Sequence, residues 1–106
     1  MLTVVKTPKA FEDLAGIALY IAQHQPAAAL RFLNQAEKTF QMLSVTPYIG
    51  QRLSREADAI TGFRVRTIIG FRNYIVYYRP RGSTLEVARI VYGGRDQVPL
   101  VDELLK

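Results

Sequence analysis

Hydrophobic and polar positions along this chain follow two rhythms, a helical one over the first half and a two-residue one over most of the second. Leu2-Thr3-Val4-Val5-Lys6 is short and β-branched and predicts an opening strand. Thr7-Pro8 then supplies an N-cap followed by proline in the first helical turn, where its missing N–H costs nothing. Glu12 and Asp13 sit early in that helix, at the end of the macrodipole that favours anions. Phe11, Leu14, Ala15, Ala18, Ile21 and Ala22 recur at helical spacing and predict one apolar face. Gln25-Pro26 closes the first helix and opens a second, because proline cannot continue the hydrogen-bond ladder but suits a first turn. In the second helix Ala29, Leu33, Ala36, Phe40 and Leu43 form the apolar stripe, with Arg31, Gln35, Lys38 and Gln41 mainly on the other side. So short a link between two amphipathic helices predicts an antiparallel hairpin. Over residues 45–61 the periodicity lapses, and Pro47 and Gly50 argue for a loop.

Alternation then sets in, with strands expected near residues 63–69, 74–79 and 84–92. Two four-residue loops, 70–73 and 80–83, would join them as hairpins. Residues 99–106 could form a short final helix with a frayed end. The expected fold is α+β, a single domain over residues 1–106 with element order β-α-α-β-β-β and a short C-terminal helix. The helix hairpin would pack on one face of a mostly antiparallel sheet. Four-residue loops would put Phe63, Val65, Thr67, Ile69, Tyr74, Val76, Tyr78, Leu85, Val87 and Val91 on the face under the helices. The open face would carry Arg64, Arg66, Ile68, Ile75, Tyr77, Arg79, Thr84, Glu86, Ala88 and Ile90. There Arg66 would oppose Tyr77, Tyr77 would oppose Glu86, and Arg64 would oppose Arg79, a like-charge pair. Arg89 falls on the apolar face in this register, which signals either a sheet-end arginine reaching solvent or a bulge in the last strand.

Composition narrows the chemistry. With no cysteine in 106 residues there is no disulfide framework, thiolate metal site or cysteine nucleophile. His24 is the only histidine and has neither ligand nor triad spacing around it, so no metal, no cofactor and no catalytic residue is expected. No apolar run approaches the roughly 20 residues needed to span a bilayer. No secretory signal is evident either, and a cytoplasmic protein that avoids membranes is expected. The charge changes the picture most. Between Gly62 and Arg95 seven arginines stand against a single acid, Glu86, so the net charge of +5 resides in this stretch. A field so concentrated favours an anionic partner or an acidic protein surface. Solvated strand arginines, a core role for Tyr74, Tyr77 and Tyr78, and a plain backbone turn at Gly93-Gly94 are the structural alternatives.

Several fragments, taken in order, resemble the RelE/ParE toxin superfamily and within it the ParE-like branch, the plasmid stabilisation proteins of type II toxin–antitoxin modules. They are Ala10-Phe11-Glu12-Asp13-Leu14 with Ile17 and Tyr20-Ile21-Ala22, then Pro26-Ala27-Ala28-Ala29-Leu30-Arg31-Phe32, then Leu43 with Pro47 and Gly50. Gly62-Phe63-Arg64, Tyr74-Ile75-Val76-Tyr77-Tyr78 and Arg89-Ile90-Val91-Tyr92-Gly93-Gly94-Arg95-Asp96 complete the set. Many members carry histidine where Tyr92 stands. In members that cleave ribosome-bound mRNA, clustered basic residues and a late tyrosine or histidine form the site. Arg64 and Arg66 match the paired basic positions and Arg95 matches the late glycine motif, but residues 97–101 hold no tyrosine or histidine. The resemblance therefore implies a ParE-like toxin that inhibits DNA gyrase and is neutralised by a cognate antitoxin. Arg64, Arg66, Tyr77, Arg79 and Arg95 are the expected target- or antitoxin-binding residues, and no direct sequence-specific nucleic-acid binding is expected. A homodimer and a toxin–antitoxin hetero-oligomer both fit. The alternatives are a RelE-like ribosome-dependent mRNA endonuclease, with Tyr92 as substitute proton carrier, and a degenerate non-toxic member.

Overall fold

The computed structural model describes residues 1–53 and 62–93; the expected final helix lies outside them. The element order is β1 (Thr3–Lys6), α1 (Pro8–Ala22), α2 (Pro26–Val45), β2 (Gln51–Arg52), β3 (Arg64–Ile68), β4 (Phe71–Arg81) and β5 (Thr84–Tyr92). This is the expected α+β fold with β2, a two-residue edge strand, added. The five strands form one sheet in the order β1-β5-β4-β3-β2. Only the β1–β5 pairing is parallel.

Thr7 starts α1 as its sequence suggested. Its hydroxyl oxygen accepts from the Ala10 N–H at 3.1 Å and also donates to the Ala88 carbonyl at 2.7 Å, so one side chain caps the helix and ties it to β5. Pro26 opens α2, and Thr46 closes it by donating to the Met42 carbonyl at 2.9 Å. The two helices cover one face of the sheet. Their buried side chains, chiefly Ala10, Leu14, Phe32, Ala36, Phe40 and Leu43, meet Ile68, Val76, Tyr78, Leu85, Val87 and Ile90. Phe32 packs edge-on against Phe71 and Tyr74 at centroid distances of 5.3 and 5.2 Å. The stripe expected for α2 is the one buried. In α1 the buried face is rotated: Ala10 and Leu14 lead it, with Ile17 and Ile21 beside them, while Phe11 and Ala15 face solvent. A helix apolar nearly all round does not say which side meets the core.

The hairpin loops are tighter than expected. Two residues, Ile69–Gly70 and Gly82–Ser83, make the turns. Gly70 and Gly82 hold φ of 78° and 60°, values that favour glycine. The first turn, with an irregularity between Thr67 and Ile68, sets Arg64 opposite Tyr78, Val65 opposite Tyr77 and Arg66 opposite Val76. All of β3 is thereby turned over relative to the expected faces: Ile68 is core, and Val65 points to the reverse side. In β5 a bulge between Val87 and Arg89 changes the parity partway. Leu85 and Val87 lie under the helices as expected, but so does Ile90, and Val91 joins Tyr77, Leu53, Val65 and Ile75 in a smaller cluster on the reverse side. The bulge signalled by Arg89 is therefore real.

Candidate binding surfaces

Arg64 and Arg66 share the helix side of β3 near the edge of the sheet, because they oppose Tyr78 and Val76 of the core face. Tyr78 shapes this region. Its buried hydroxyl donates to the Pro47 carbonyl at 2.8 Å and accepts the Gly50 N–H at 2.9 Å, bolting the 47–50 turn to the sheet. A Cβ at Gly50 would overlap that hydroxyl, so glycine is required there by close approach. Burial pushes the Tyr78 phenol above its ordinary pKa, offset in part by the Gly50 hydrogen bond and the charges of Arg64 and Arg66. The phenol thus stays neutral at physiological pH and serves as a strut rather than a base.

The turn so fixed fixes Arg64 in turn. Its Nη1 donates to the Gly50 carbonyl at 3.0 Å and the Tyr48 carbonyl at 3.4 Å, and the guanidinium lies 5.1 Å from the Tyr48 ring centroid. Arg52 of β2 stands directly across from Arg64. Arg66 is exposed and forms no ion pair among the described residues. It borders a groove of about 360 Å3 lined by Ile49, Gln51, Val65, Thr67 and Ile75. A planar, anchored guanidinium beside a free one suits bidentate capture of a carboxylate or a phosphate.

Tyr77 and Arg79 do not join this surface. They point to the reverse face, where Tyr77 is buried and its phenol pKa is raised by that burial. Arg79 donates to Glu86 at 3.1 Å, and its guanidinium lies 4.6 Å from the Phe63 ring centroid. Arg81 reaches the other oxygen of Glu86 at 3.6 Å. The expected single surface of Arg64, Arg66, Tyr77 and Arg79 is therefore corrected: two of its members lie on each side of the sheet. So is the Arg64–Arg79 pair, since across β3 and β4 Arg64 opposes Tyr78. The cause is the two-residue turn and the register irregularity before Phe71, which shift β3 by one residue. Arg95 lies outside the described residues. Among the described residues no cluster of histidine and carboxylate side chains could hold a metal ion.

A second surface was not foreseen. Asp13 of α1 receives a forked pair from Arg89, Nε to Oδ2 at 2.7 Å and Nη2 to Oδ1 at 3.1 Å, and also accepts the Ile90 N–H at 2.9 Å. Arg89 thus explains itself: the bulge delivers it to a carboxylate on the helix. Next to this pair a cleft of about 540 Å3 opens between α1 and the end of β5, lined by Asp13, Gly16, Ile17, Tyr20, Tyr74, Ile90, Val91 and Tyr92. Tyr74 packs edge-on against Tyr92 at 5.8 Å. Burial, then the nearby Tyr20 and Tyr92, raise the Tyr74 phenol pKa. The only sequence signal for this cleft was the uncharged run from Leu14 to Leu30.

Comparison with known proteins places these features. The family model for the ParE toxin of type II toxin–antitoxin systems, parDE, matches residues 4–97. Among solved structures, a chain of the chromosomal ParDE system from P. aeruginosa superposes with a TM-score of 0.70 at 22% identity, covering 87% of this chain and 96% of that one. No curated protein sequence matches. With nearly the whole fold under one family model, the chain belongs to the ParE toxin family of type II toxin–antitoxin systems.

Proposed function

We propose that this chain is the toxin of a cytoplasmic toxin–antitoxin module, that it inhibits DNA gyrase, and that a cognate antitoxin neutralises it in a hetero-oligomer. The family match supports the module, and the observation that carries a binding role is the Arg64–Arg66 surface. It offers one guanidinium held by backbone carbonyls and Tyr48, and one that no described acid neutralises. Such a surface docks on acidic protein or on DNA-associated protein through charge-assisted hydrogen bonds. Arg64 and Arg66 make the primary contact in this reading. Tyr77 and Arg79 take part only if the partner also reaches the reverse face, and Arg95, outside the described residues, is kept as a further proposed contact. A supercoiling assay with purified protein tests the proposal. Inhibition that weakens on Arg66→Ala is expected, and supercoiling untouched at large toxin excess would refute it.

A second reading, ribosome-dependent mRNA cleavage, gains from Arg64 and Arg66 sharing one face, as a phosphate clamp requires. Arginine cannot take up the 2′-hydroxyl proton, since its pKa exceeds about 12, and the phenols of Tyr74, Tyr77 and Tyr78 are all shifted away from ionisation. Codon-linked cuts in a toe-printing assay would select this reading. Growth unaffected by expression without antitoxin would select a degenerate, non-toxic member.

A further inference from the structure

The groove beside Arg66 owes its shape to the shortness of β2. That strand accompanies β3 for two residues only, Gln51 opposite Val65 and Arg52 opposite Arg64. The chain just before it is drawn toward the helix side, where the Tyr78 hydroxyl donates to the Pro47 carbonyl and accepts the Gly50 N–H. In the angle left between this turn and β3 lies the groove of about 360 Å3. Val65 and Ile75, partly buried, give it an apolar lining together with Ile49, which is 46% exposed. Arg66, Gln51 and Thr67 supply its polar groups. An apolar hollow with a polar rim has the composition of an interaction site.

Charge identifies the occupant as acidic. Glu86 is engaged by Arg79 and Arg81, Asp13 by Arg89 and Glu37 by Lys6, whereas Arg66 meets no acid among the described residues. Two residues away on the same face, Arg64 is already oriented by the carbonyls of Gly50 and Tyr48. Those neutral partners fix its guanidinium without cancelling its charge. The pair therefore presents two cations in a chain of net charge +5, and a carboxylate arriving there gains charge-assisted, forked hydrogen bonds. Protein suits the groove better than nucleic acid does. Its described lining is aliphatic and polar and offers no ring for a base to stack on, and the Tyr48 ring nearby already carries the Arg64 guanidinium at 5.1 Å.

We propose that this groove receives an acidic segment of gyrase. One carboxylate of the segment pairs with Arg66, supported by Arg64, and an apolar side chain close to it on the same segment enters the groove against Ile49, Val65 and Ile75. This placement rests on the gyrase reading above and adds what chemistry of the target is recognised and by which residues. The ion pair speeds encounter and sets orientation. The groove supplies selectivity, because an acidic surface that lacks the apolar side chain gains only the part of the interaction that salt screens. Affinity for gyrase thus depends on the shape of the groove as well as on the charge beside it.

The test uses the full chain and intact purified gyrase, with Kd measured by titration calorimetry and inhibition by the supercoiling assay. Arg66→Ala removes the ion pair, Thr67→Trp fills the groove without altering charge, and Ile49→Ala takes away its exposed apolar wall. The first two should each weaken binding by at least about tenfold, as for central contacts, and the third by at least about threefold. Arg31→Ala removes the same charge from an exposed site on α2 and should change binding by less than about twofold. In the Arg66→Ala/Thr67→Trp double variant the loss should be smaller than the product of the two single losses, since one segment occupies both places. Circular dichroism melts establish which variants are folded, and Ile49→Ala, the milder change, carries the groove test if Thr67→Trp is not. If wild-type toxin neither binds nor inhibits gyrase at large excess, the gyrase reading fails and the inference with it. If wild type binds gyrase while the folded groove variants bind equally well, the groove inference alone is overturned. Loss of affinity for a duplex DNA probe or for the cognate antitoxin, with that for gyrase intact, overturns it too.

Discussion

Asp13→Ala should be among the most damaging polar substitutions in this chain, because Asp13 serves two groups at once. Its side chain is 15% exposed and that of Arg89 is 16% exposed, so the ion pair is largely, though not wholly, out of water. Removing one partner of a buried pair costs about 3–5 kcal/mol. Leaving the Ile90 N–H unsatisfied adds about 1–3 kcal/mol. The cleft adjoins Asp13, so water can enter and hydrate both orphaned groups, and we reduce the sum to about 3 kcal/mol. In a domain of this size that corresponds to a fall in Tm of roughly 12–20 °C. Arg89→Met should cost less, about 1–2 kcal/mol, since Asp13 keeps its bond to Ile90 and faces the open cleft. Once Asp13 is gone, the guanidinium has lost the carboxylate that held it, so Asp13→Ala/Arg89→Met should be no worse than Asp13→Ala alone. Urea denaturation of the four proteins closes a double-mutant cycle with an expected coupling of about 1–2 kcal/mol. A coupling below about 0.5 kcal/mol would refute the view that this pair clamps α1 to β5.

Further expectations follow from single sites. Gly50→Ala forces a methyl group against the Tyr78 ring and hydroxyl, and should cost about 2–3 kcal/mol in urea denaturation while weakening any activity that depends on Arg64. Gly16→Ala, in mid-helix with open space around it, should stabilise the protein by about 0.5–1 kcal/mol in the same assay. The phenols of Tyr74, Tyr77 and Tyr78 have raised folded-state pKa values. A raised pKa contributes stability below the unfolded-state value, near 10, and loses it as pH climbs through the folded-state value. Stability should therefore be flat with respect to these groups at neutral pH and fall above about pH 10, and Tyr77→Phe should shallow that fall.

Local signals in the chain were enough for the helices and the overall class. Thr7-Pro8 and Gln25-Pro26 act through bonds within one helical turn, so their effect is independent of the rest of the molecule. The α2 stripe was equally legible, because polar residues mark the opposite side. The α1 face was not, since Phe11, Ala15 and Leu19 are as apolar as the residues that end up buried. Arg64 and Arg66 were recognisable as a pair by their spacing. Their separation from Tyr77 and Arg79 was invisible, because it hangs on whether a turn has two residues or four.

The sequence by itself determined the two helices and four of the five strands, their α+β class, and that most of the positive charge lies on the strands of the second half. Those outcomes follow from short-range backbone preferences and from composition. Only the tertiary structure decided which face Arg64, Arg66 and Arg79 occupy, that Arg89 finds Asp13 across 76 residues of chain, and that a cleft opens beside that pair between α1 and the end of β5. The physical reason is parity. Side chains alternate along a strand, so one turn shortened or one residue bulged reverses every assignment beyond it, and what selects the register is the packing of Ile68, Val76, Tyr78 and Ile90 against the helices.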